Sequence, residues 1–84
     1  MKILIEEEAL KALSKIPDPY AKNITKKIKT LAGDPLPQKC KKLKGTNLFR
    51  IRSGNYRIIY NLEKKQNLIR VLVILHRCKA YKNL

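Results

Sequence analysis

The segment LFRIRSGNYRIIYNL, residues 48–62, alternates between apolar and polar side chains on either side of a short turn. Leu48–Arg52 and Tyr56–Leu62 each have the two-residue period of a β-strand, and Ser53–Asn55 between them contains a glycine, as tight hairpin turns do. We therefore predict two antiparallel strands joined by this turn.

A third strand is predicted directly after the hairpin. Glu63–Asn67 is polar and indicates a turn, and Leu68–Leu75 is an almost continuous apolar run. Such a run is typical of a strand buried on both faces, so we expect it to lie at the centre of its sheet. The three strands together should form an antiparallel meander.

The residues before the hairpin predict one strand and two helices. Ile3–Ile5 form a short apolar run, and Glu6–Glu8 then place negative charge where a helix begins. Apolar residues recur at helical spacing over residues 9–16 and again over residues 20–32, with prolines between and after the two segments. A basic linker should follow this helical hairpin, containing Lys39, Lys41, Lys42 and Lys44.

The sequence thus predicts one α+β domain over residues 1–84. A short N-terminal strand, a two-helix hairpin and a three-stranded antiparallel meander should form one small sheet with the helices on one face. A chain this short buries only about 60% of its unfolded surface, so we expect marginal stability.

Basic residues dominate the composition. There are 20 Lys and Arg against 6 Asp and Glu, a net charge of +14, and half of the acids lie in Glu6–Glu8. Such an excess raises the local concentration of polyanions, which suggests nucleic acid, the ribosome or an acidic protein as a partner. The alternative is a lysine-rich surface that serves solubility alone.

Other kinds of chemistry have little support in the sequence. Cys40 and Cys78 are too few for a disulfide framework, and a chain with one histidine and no CxxC pair offers few ligands for zinc. There is no glycine-rich phosphate loop and no pair of carboxylates placed for acid–base catalysis. No signal peptide is evident, and the longest apolar run, Val71–Leu75, is far too short to cross a membrane. We expect a cytoplasmic protein without a metal or a small-molecule cofactor.

Strand alternation predicts where the arginines point. Phe49 and Ile51 should face the helices, so Arg50 and Arg52 share the opposite face of the sheet. Arg57 reaches that same face if the alternate residues of its strand pack inward.

The third strand should add further polar groups to this face. Arg77 follows that strand, and His76 and Tyr81 are expected near the rim of the arginine cluster. Several guanidinium groups together suit phosphate, because each planar fork donates two parallel hydrogen bonds. Unrelated surface arginines are the alternative interpretation.

The same residues carry a family resemblance. KLKG at 42–45, FRIRSGNYRIIY at 49–60 and HRCKAY at 76–81 resemble the C-terminal half of RelE/ParE-superfamily toxins, in particular the RelE-like branch. The N-terminal residues agree with that family in the order of their elements but add little specific sequence.

This resemblance implies a RelE-like fold and the toxin of a type II toxin–antitoxin pair, neutralised by a cognate antitoxin. It implies a metal-independent endoribonuclease that cuts mRNA, usually at the ribosome, by attack of the RNA 2′-hydroxyl on the scissile phosphate. At the matching positions, Arg50 and Arg52 would face that phosphate, Arg57 and Arg77 would contribute to catalysis, and Tyr81 would stack on or act at the substrate. We also expect four lysines to contact RNA: Lys26, Lys42, Lys44 and Lys79.

The identity of the residue that acts as general base stays open. A glutamate base used by some relatives has no counterpart here, and Arg50 and Arg52 stand where some relatives have lysines. Since an arginine is not deprotonated in proteins, these two should stabilise charge. Tyr81 is the first candidate for proton transfer and His76 the second.

Two other functions fit the sequence. A ParE-like toxin would share the fold but inhibit DNA gyrase without cleaving RNA, and the spacing from Arg77 to Tyr81 together with the Arg50/Arg52 pair argues against it. A noncatalytic RNA- or ribosome-binding module would bind without producing any cleaved product.

Overall fold

The structure is a computed structural model and describes residues 1–78. The hairpin predicted from the alternation of apolar and polar residues lies near the middle of its sheet. In chain order the elements are β1 (Lys2–Ile5), α1 (Glu7–Lys15), α2 (Tyr20–Thr30), β2 (Lys41–Lys42), β3 (Leu48–Ser53), β4 (Tyr56–Glu63), a short 3₁₀ turn (Lys64–Gln66) and β5 (Leu68–His76). Ser53 lies opposite Tyr56, which leaves Gly54 and Asn55 as the turn between β3 and β4. Gly54 has a φ of +60°, a backbone conformation that glycine adopts without steric cost.

The sheet is larger than the sequence predicts. It has five strands in the order β1-β5-β4-β3-β2, of which β3, β4 and β5 form the expected antiparallel meander. β1 joins this meander by pairing in parallel with β5. Lys41 and Lys42, interpreted from the sequence as part of a linker, form the edge strand β2 opposite Arg50 and Phe49. The prediction of one sheet with a short first strand and a three-stranded antiparallel meander is therefore confirmed, and β2 is the strand that it missed, which makes the sheet a five-stranded mixed one.

The central strand is β4, whereas the sequence pointed to β5. The four residues Arg57–Tyr60 of β4 are all buried, on both faces of the sheet. β5 lies between β1 and β4, but Arg70 and Val73 on one of its faces are only half-buried. The apolar run of β5 thus correctly predicted a strand in the interior of the sheet. The expectation that this strand is buried on both faces was wrong.

Both helices pack on one face of the sheet, which we call the inner face. Ala9 of α1 and Ile24 and Ile28 of α2 are almost fully buried there. Their partners in the core are six strand residues: Ile51, Ile58, Tyr60, Ile69, Val71 and Ile74. The opposite side of the sheet, here called the outer face, carries the alternate residues of each strand. No helix within residues 1–78 has the length and hydropathy needed to span a membrane.

A β-bulge adjusts β5 to this core. Ile59 pairs with Val73 and the next residue, Tyr60, pairs with Val71, so Leu72 is the extra residue on β5. The insertion lets Val71 and Ile74 both face inward although they are three positions apart. From Ile74 onward the alternation of β5 is therefore shifted relative to its first half.

Two side chains, those of Tyr60 and Arg70, connect the sheet to other parts of the chain. The Tyr60 hydroxyl donates a hydrogen bond of 2.6 Å to the Pro35 carbonyl, and its ring stacks on Phe49 at 5.8 Å. On the outer face, Arg70 donates from Nε to Glu63 and from Nη1 to Glu6, both at 2.6 Å. These two hydrogen bonds raise the pKa of Arg70, so β1, β4 and β5 are linked by a permanent cation.

Candidate nucleic-acid interface

The outer face brings together arginines from neighbouring strands. Arg52 of β3 lies directly opposite Arg57 of β4, and Arg50 lies opposite Lys41 of β2. Residues paired across a sheet point to the same side, so all four cations share this face. Arg57 is only 4% exposed, whereas Arg50 is half-buried and Arg52 is exposed.

Arg77 joins this group at the end of β5. Its backbone N–H donates a hydrogen bond of 2.7 Å to the Asn55 carbonyl, which fixes the chain beside the β3–β4 turn. Arg52, Arg57 and Arg77, with the turn residues Gly54 and Asn55, line a cavity of about 60 Å³, here called the arginine cavity. Arg52 of β3, Arg57 of β4 and Arg77 directly after β5 therefore border one small space.

A second depression continues the same surface. It has a volume of about 230 Å³ and is lined by Lys39, Lys41, Arg50 and Arg52. Arg52 borders both spaces, so the two form one basic strip, and no Asp or Glu of residues 1–78 lines either of them. Such a strip can hold consecutive phosphates of a single-stranded nucleic acid.

His76 lines a groove on the inner side of the sheet and not the arginine cavity. This corrects its expected place at the rim of the arginine cluster. It pairs with Tyr56, and its ring meets the Tyr56 ring edge to face at 5.3 Å in a groove against α1. Its Nδ1 accepts a hydrogen bond of 3.3 Å from the Cys78 backbone N–H. Within residues 1–78, no three His, Cys, Asp or Glu side chains are grouped so that they could hold a metal ion.

The lysines expected to contact RNA do not gather at the arginine cavity. Lys42 lies opposite Phe49 and so points away from Arg50, and Lys44 is exposed in the turn that follows β2. Lys26 is exposed on α2, which packs on the other side of the sheet. Lys79 and Tyr81 lie outside the described residues.

Comparison with known proteins assigns the chain to a family. The family model described as the ParE toxin of the type II toxin–antitoxin system parDE matches residues 3–81. The chain belongs to the RelE/ParE toxin superfamily. The sequence resemblance that pointed to this superfamily is thereby confirmed.

Named relatives place the toxin on the RelE side of the superfamily. The putative toxin RelE1 of Methanocaldococcus jannaschii is 32% identical over 83 residues, covering 94% of this chain and 92% of the relative. A chain of the archaeal RelE–RelB complex of Pyrococcus horikoshii OT3 has a TM-score of 0.81 and 29% identity, over 90% of this chain and 93% of its own. A chain of the RelB–RelE antitoxin–toxin complex of Methanococcus jannaschii has a TM-score of 0.77 and 29% identity, over 96% of this chain and 98% of its own.

The structure adds two residues to the toxin's basic strip that the sequence did not single out. Lys39 and Lys41 were grouped with the other linker lysines, but only these two line the depression beside Arg50. A signal existed for Lys41, because in a strand it must point opposite to Lys42. It could be used only once Lys41–Lys42 was known to be a strand.

Proposed function

We propose that this toxin is an endoribonuclease that cuts mRNA, at the ribosome, through attack of the RNA 2′-hydroxyl on the adjacent phosphorus. The arginine cavity is the observation that carries the proposal, because Arg52, Arg57 and Arg77 converge there beside a basic strip. The RelE names of its relatives at 29–32% identity support the same reaction class.

The chemistry needs charge stabilisation more than it needs a nucleophile. The substrate supplies its own attacking hydroxyl, so no metal-activated water is required. As that oxygen attacks, the phosphate gains negative charge, and pre-placed donors at such a charge are each worth about 10²–10³ in rate. Arg52 and Arg77 are exposed at the cavity and can follow the phosphate, while buried Arg57 supplies a fixed cation beside them.

Proton transfer is assigned to Tyr81 in this proposal. The 2′-hydroxyl must lose a proton and the leaving 5′-oxygen must gain one, and such assistance contributes about 10²–10⁴ in rate. His76, the other candidate, lines the groove on the inner side, and its Nδ1 already accepts the Cys78 N–H. A tyrosine can serve as the base only if cations lower its pKa from about 10, and the proposal assigns that effect to the arginines of the cavity.

The proposed partners follow from the charge. An mRNA strand and ribosomal RNA are polyanions that suit a chain of net charge +14. A cognate antitoxin should present acidic and apolar residues that cover the basic strip. The relatives from Pyrococcus horikoshii and Methanococcus jannaschii were crystallised as complexes of RelE with RelB.

The ParE-like function is the second candidate, because the matching family model is named for ParE toxins. A toxin of that kind would leave mRNA intact and inhibit DNA gyrase. The converging arginines favour RNA cleavage, since inhibition of gyrase by binding does not require a cavity for a single phosphate.

The deciding experiment adds the purified toxin to a cell-free translation reaction and maps the ends of the mRNA. We expect cuts within the translated frame that depend on active ribosomes. Intact mRNA with undisturbed translation would reject the proposal, and a gyrase supercoiling assay would then test the second candidate. If free RNA is cut as fast as translated mRNA, the toxin is a nuclease but does not require the ribosome.

A further inference from the structure

A row of three aromatic rings lies at the end of the sheet, beside the arginine cavity. The rings of Tyr20 and Tyr56 have centroids 6.2 Å apart, and the rings of Tyr56 and His76 are 5.3 Å apart in an edge-to-face arrangement. Tyr20 is 51% exposed. The row runs from the start of α2 to the end of β5.

A groove on the inner side borders this row. It has a volume of about 490 Å³, lies between α1 and the end of β5, and includes Tyr56 and His76 in its wall. Apolar side chains such as Ala12 and Ile16 line it, and Lys11 and Lys15 outnumber Glu8 among its charged residues. We call this space the aromatic groove. An apolar space with aromatic walls and a cationic border suits nucleobases attached to a phosphate backbone.

The aromatic groove and the arginine cavity meet at the end of the sheet. Tyr56 borders both spaces, and the consecutive residues His76 and Arg77 border one each. A strand held by its phosphate in the arginine cavity therefore needs to pass only the β3–β4 turn to place its next bases in the groove.

We propose that the aromatic groove binds the unpaired RNA bases that flank the cleaved phosphate, with His76 in its wall and Tyr20 at the end of the adjoining aromatic row as stacking surfaces. This inference rests on the proposed function and adds a base-binding subsite to it. His76 then acts in substrate binding, which agrees with its place in the groove wall. Stacking on an aromatic ring tolerates every base, so the subsite should strengthen binding while imposing only a weak sequence preference.

Binding can be measured without cleavage. The probe is a 2′-O-methyl RNA decamer carrying one 2-aminopurine, which has no free 2′-hydroxyl to attack and whose fluorescence falls when the base stacks. We expect the toxin to quench it, and Tyr20→Leu to weaken binding roughly 5- to 150-fold and to reduce the quenching. Tyr20→Phe, which keeps the ring, should bind more tightly than Tyr20→Leu.

Leu10→Ala is the matched control. Leu10 is 50% exposed on α1, as Tyr20 is on α2, but Leu10 is not part of the aromatic row whose Tyr56 and His76 line the groove. If the rings serve only to pack α2 on the sheet, Tyr20→Leu will lower the melting temperature without changing the quenching by the folded protein. That result, or a failure of the unmodified toxin to bind the decamer, would overturn the inference. Loss of antitoxin binding in Tyr20→Leu with unchanged RNA binding would assign the groove to a protein partner instead.

Cleavage kinetics separate this inference from the proposed function. Removing a contact made equally in the ground and transition states raises KM and leaves kcat nearly constant, so we expect that pattern for Tyr20→Leu and for His76→Leu. Cleavage by the unmodified toxin with no change of KM in either variant would reject the subsite and keep the nuclease. RNA binding that depends on the rings, without any cleavage, would keep the subsite and reject the nuclease.

Discussion

Arg77 is the best single residue on which to test the arginine cavity. Its position is fixed through its backbone, by the hydrogen bond of its N–H to Asn55, while its side chain is exposed at the cavity. Arg77→Ala should therefore keep the fold and lower the rate of mRNA cleavage about 10²–10³-fold. Arg77→Lys should recover only part of that rate, because an ammonium group lacks the planar fork of donors.

Cleavage in cell-free translation and thermal unfolding should be measured side by side for these variants. Lys64→Ala removes an equal charge from an exposed residue at the far end of β4 and should leave the rate within about twofold. Equal cleavage by Arg77→Ala and Lys64→Ala would show that Arg77 is only part of a general cationic surface.

Tyr60 allows a prediction about pH. Burial raises the pKa of Tyr60 above its ordinary value, with a smaller contribution from the nearby Cys40 thiol. Above about pH 10, Tyr60 ionises in the unfolded chain before it does so in the folded protein, so the folded state loses stability as pH rises. Tyr60→Phe should cost about 1 kcal/mol at neutral pH, because the hydrogen bond to Pro35 is lost. In urea unfolding curves, the difference in the free energy of unfolding between the unmodified toxin and Tyr60→Phe should narrow between pH 9 and 11. A difference that stays constant over this range would contradict the raised pKa of Tyr60.

At the scale of residues, the sequence predicted the arginine face well and His76 poorly. β3 keeps a two-residue period, so the shared face of Arg50 and Arg52 follows from their positions. Arg57 joins them because the alternate residues Ile58 and Tyr60 pack inward, which was the condition set by the prediction. The apolar run of β5 has no such period, and the bulge at Leu72 shifts its alternation. The side on which His76 lies was therefore hidden until the pairing of β5 with β4 was known.

At the scale of elements, the stability of β1 should depend on Arg70. Arg70 joins Glu6, at the end of β1, to Glu63 at the end of β4, and Arg70→Met would leave the two carboxylates without this shared cation. We expect a lower urea midpoint for Arg70→Met and faster hydrogen exchange in the Lys2–Ile5 strand. Part of the difference should disappear in 1 M salt, which screens partly exposed charges.

Lys11→Ala is the control for this element. It breaks the Lys11–Glu7 pair, whose side chains are 70% and 81% exposed, and should have no measurable effect on the midpoint. An Arg70→Met variant as stable as Lys11→Ala would show that hydrogen bonding between the strands is enough to hold β1.

The two edge strands were the elements that local sequence could not define. β2 has two residues, both lysines, so it has no apolar alternation to recognise and forms because β3 offers it a partner. β1 is short but apolar, and its parallel pairing with β5 joins residues more than 60 positions apart in the chain. The meander could be predicted because each of its strands is joined to the next by a short connection.

At the scale of the whole molecule, the positive charge is divided between two faces. The basic strip lies on the outer face, whereas Lys22, Lys26 and Lys29 lie on the exposed side of α2, beyond the inner face. The three lysines are spaced four and three residues apart and so form one stripe along the helix. If the toxin cuts mRNA in a ribosome, as proposed, one face can bind the strand that is cut and the other can bind ribosomal RNA.

The lysine stripe should therefore contribute to ribosome association and not to the arginine cavity. If each lysine contacts one RNA phosphate, replacing all three with glutamine should reduce the slope of log affinity against log salt by about 2–3 for ribosomes. The slope for a short single-stranded RNA should change much less, since that strand occupies the outer face. The control replaces three exposed lysines elsewhere, Lys2, Lys64 and Lys65, and removes the same net charge. Equal effects of the two triple variants on ribosome binding would mean that only the total charge matters, and the stripe would then be a solvated helix face.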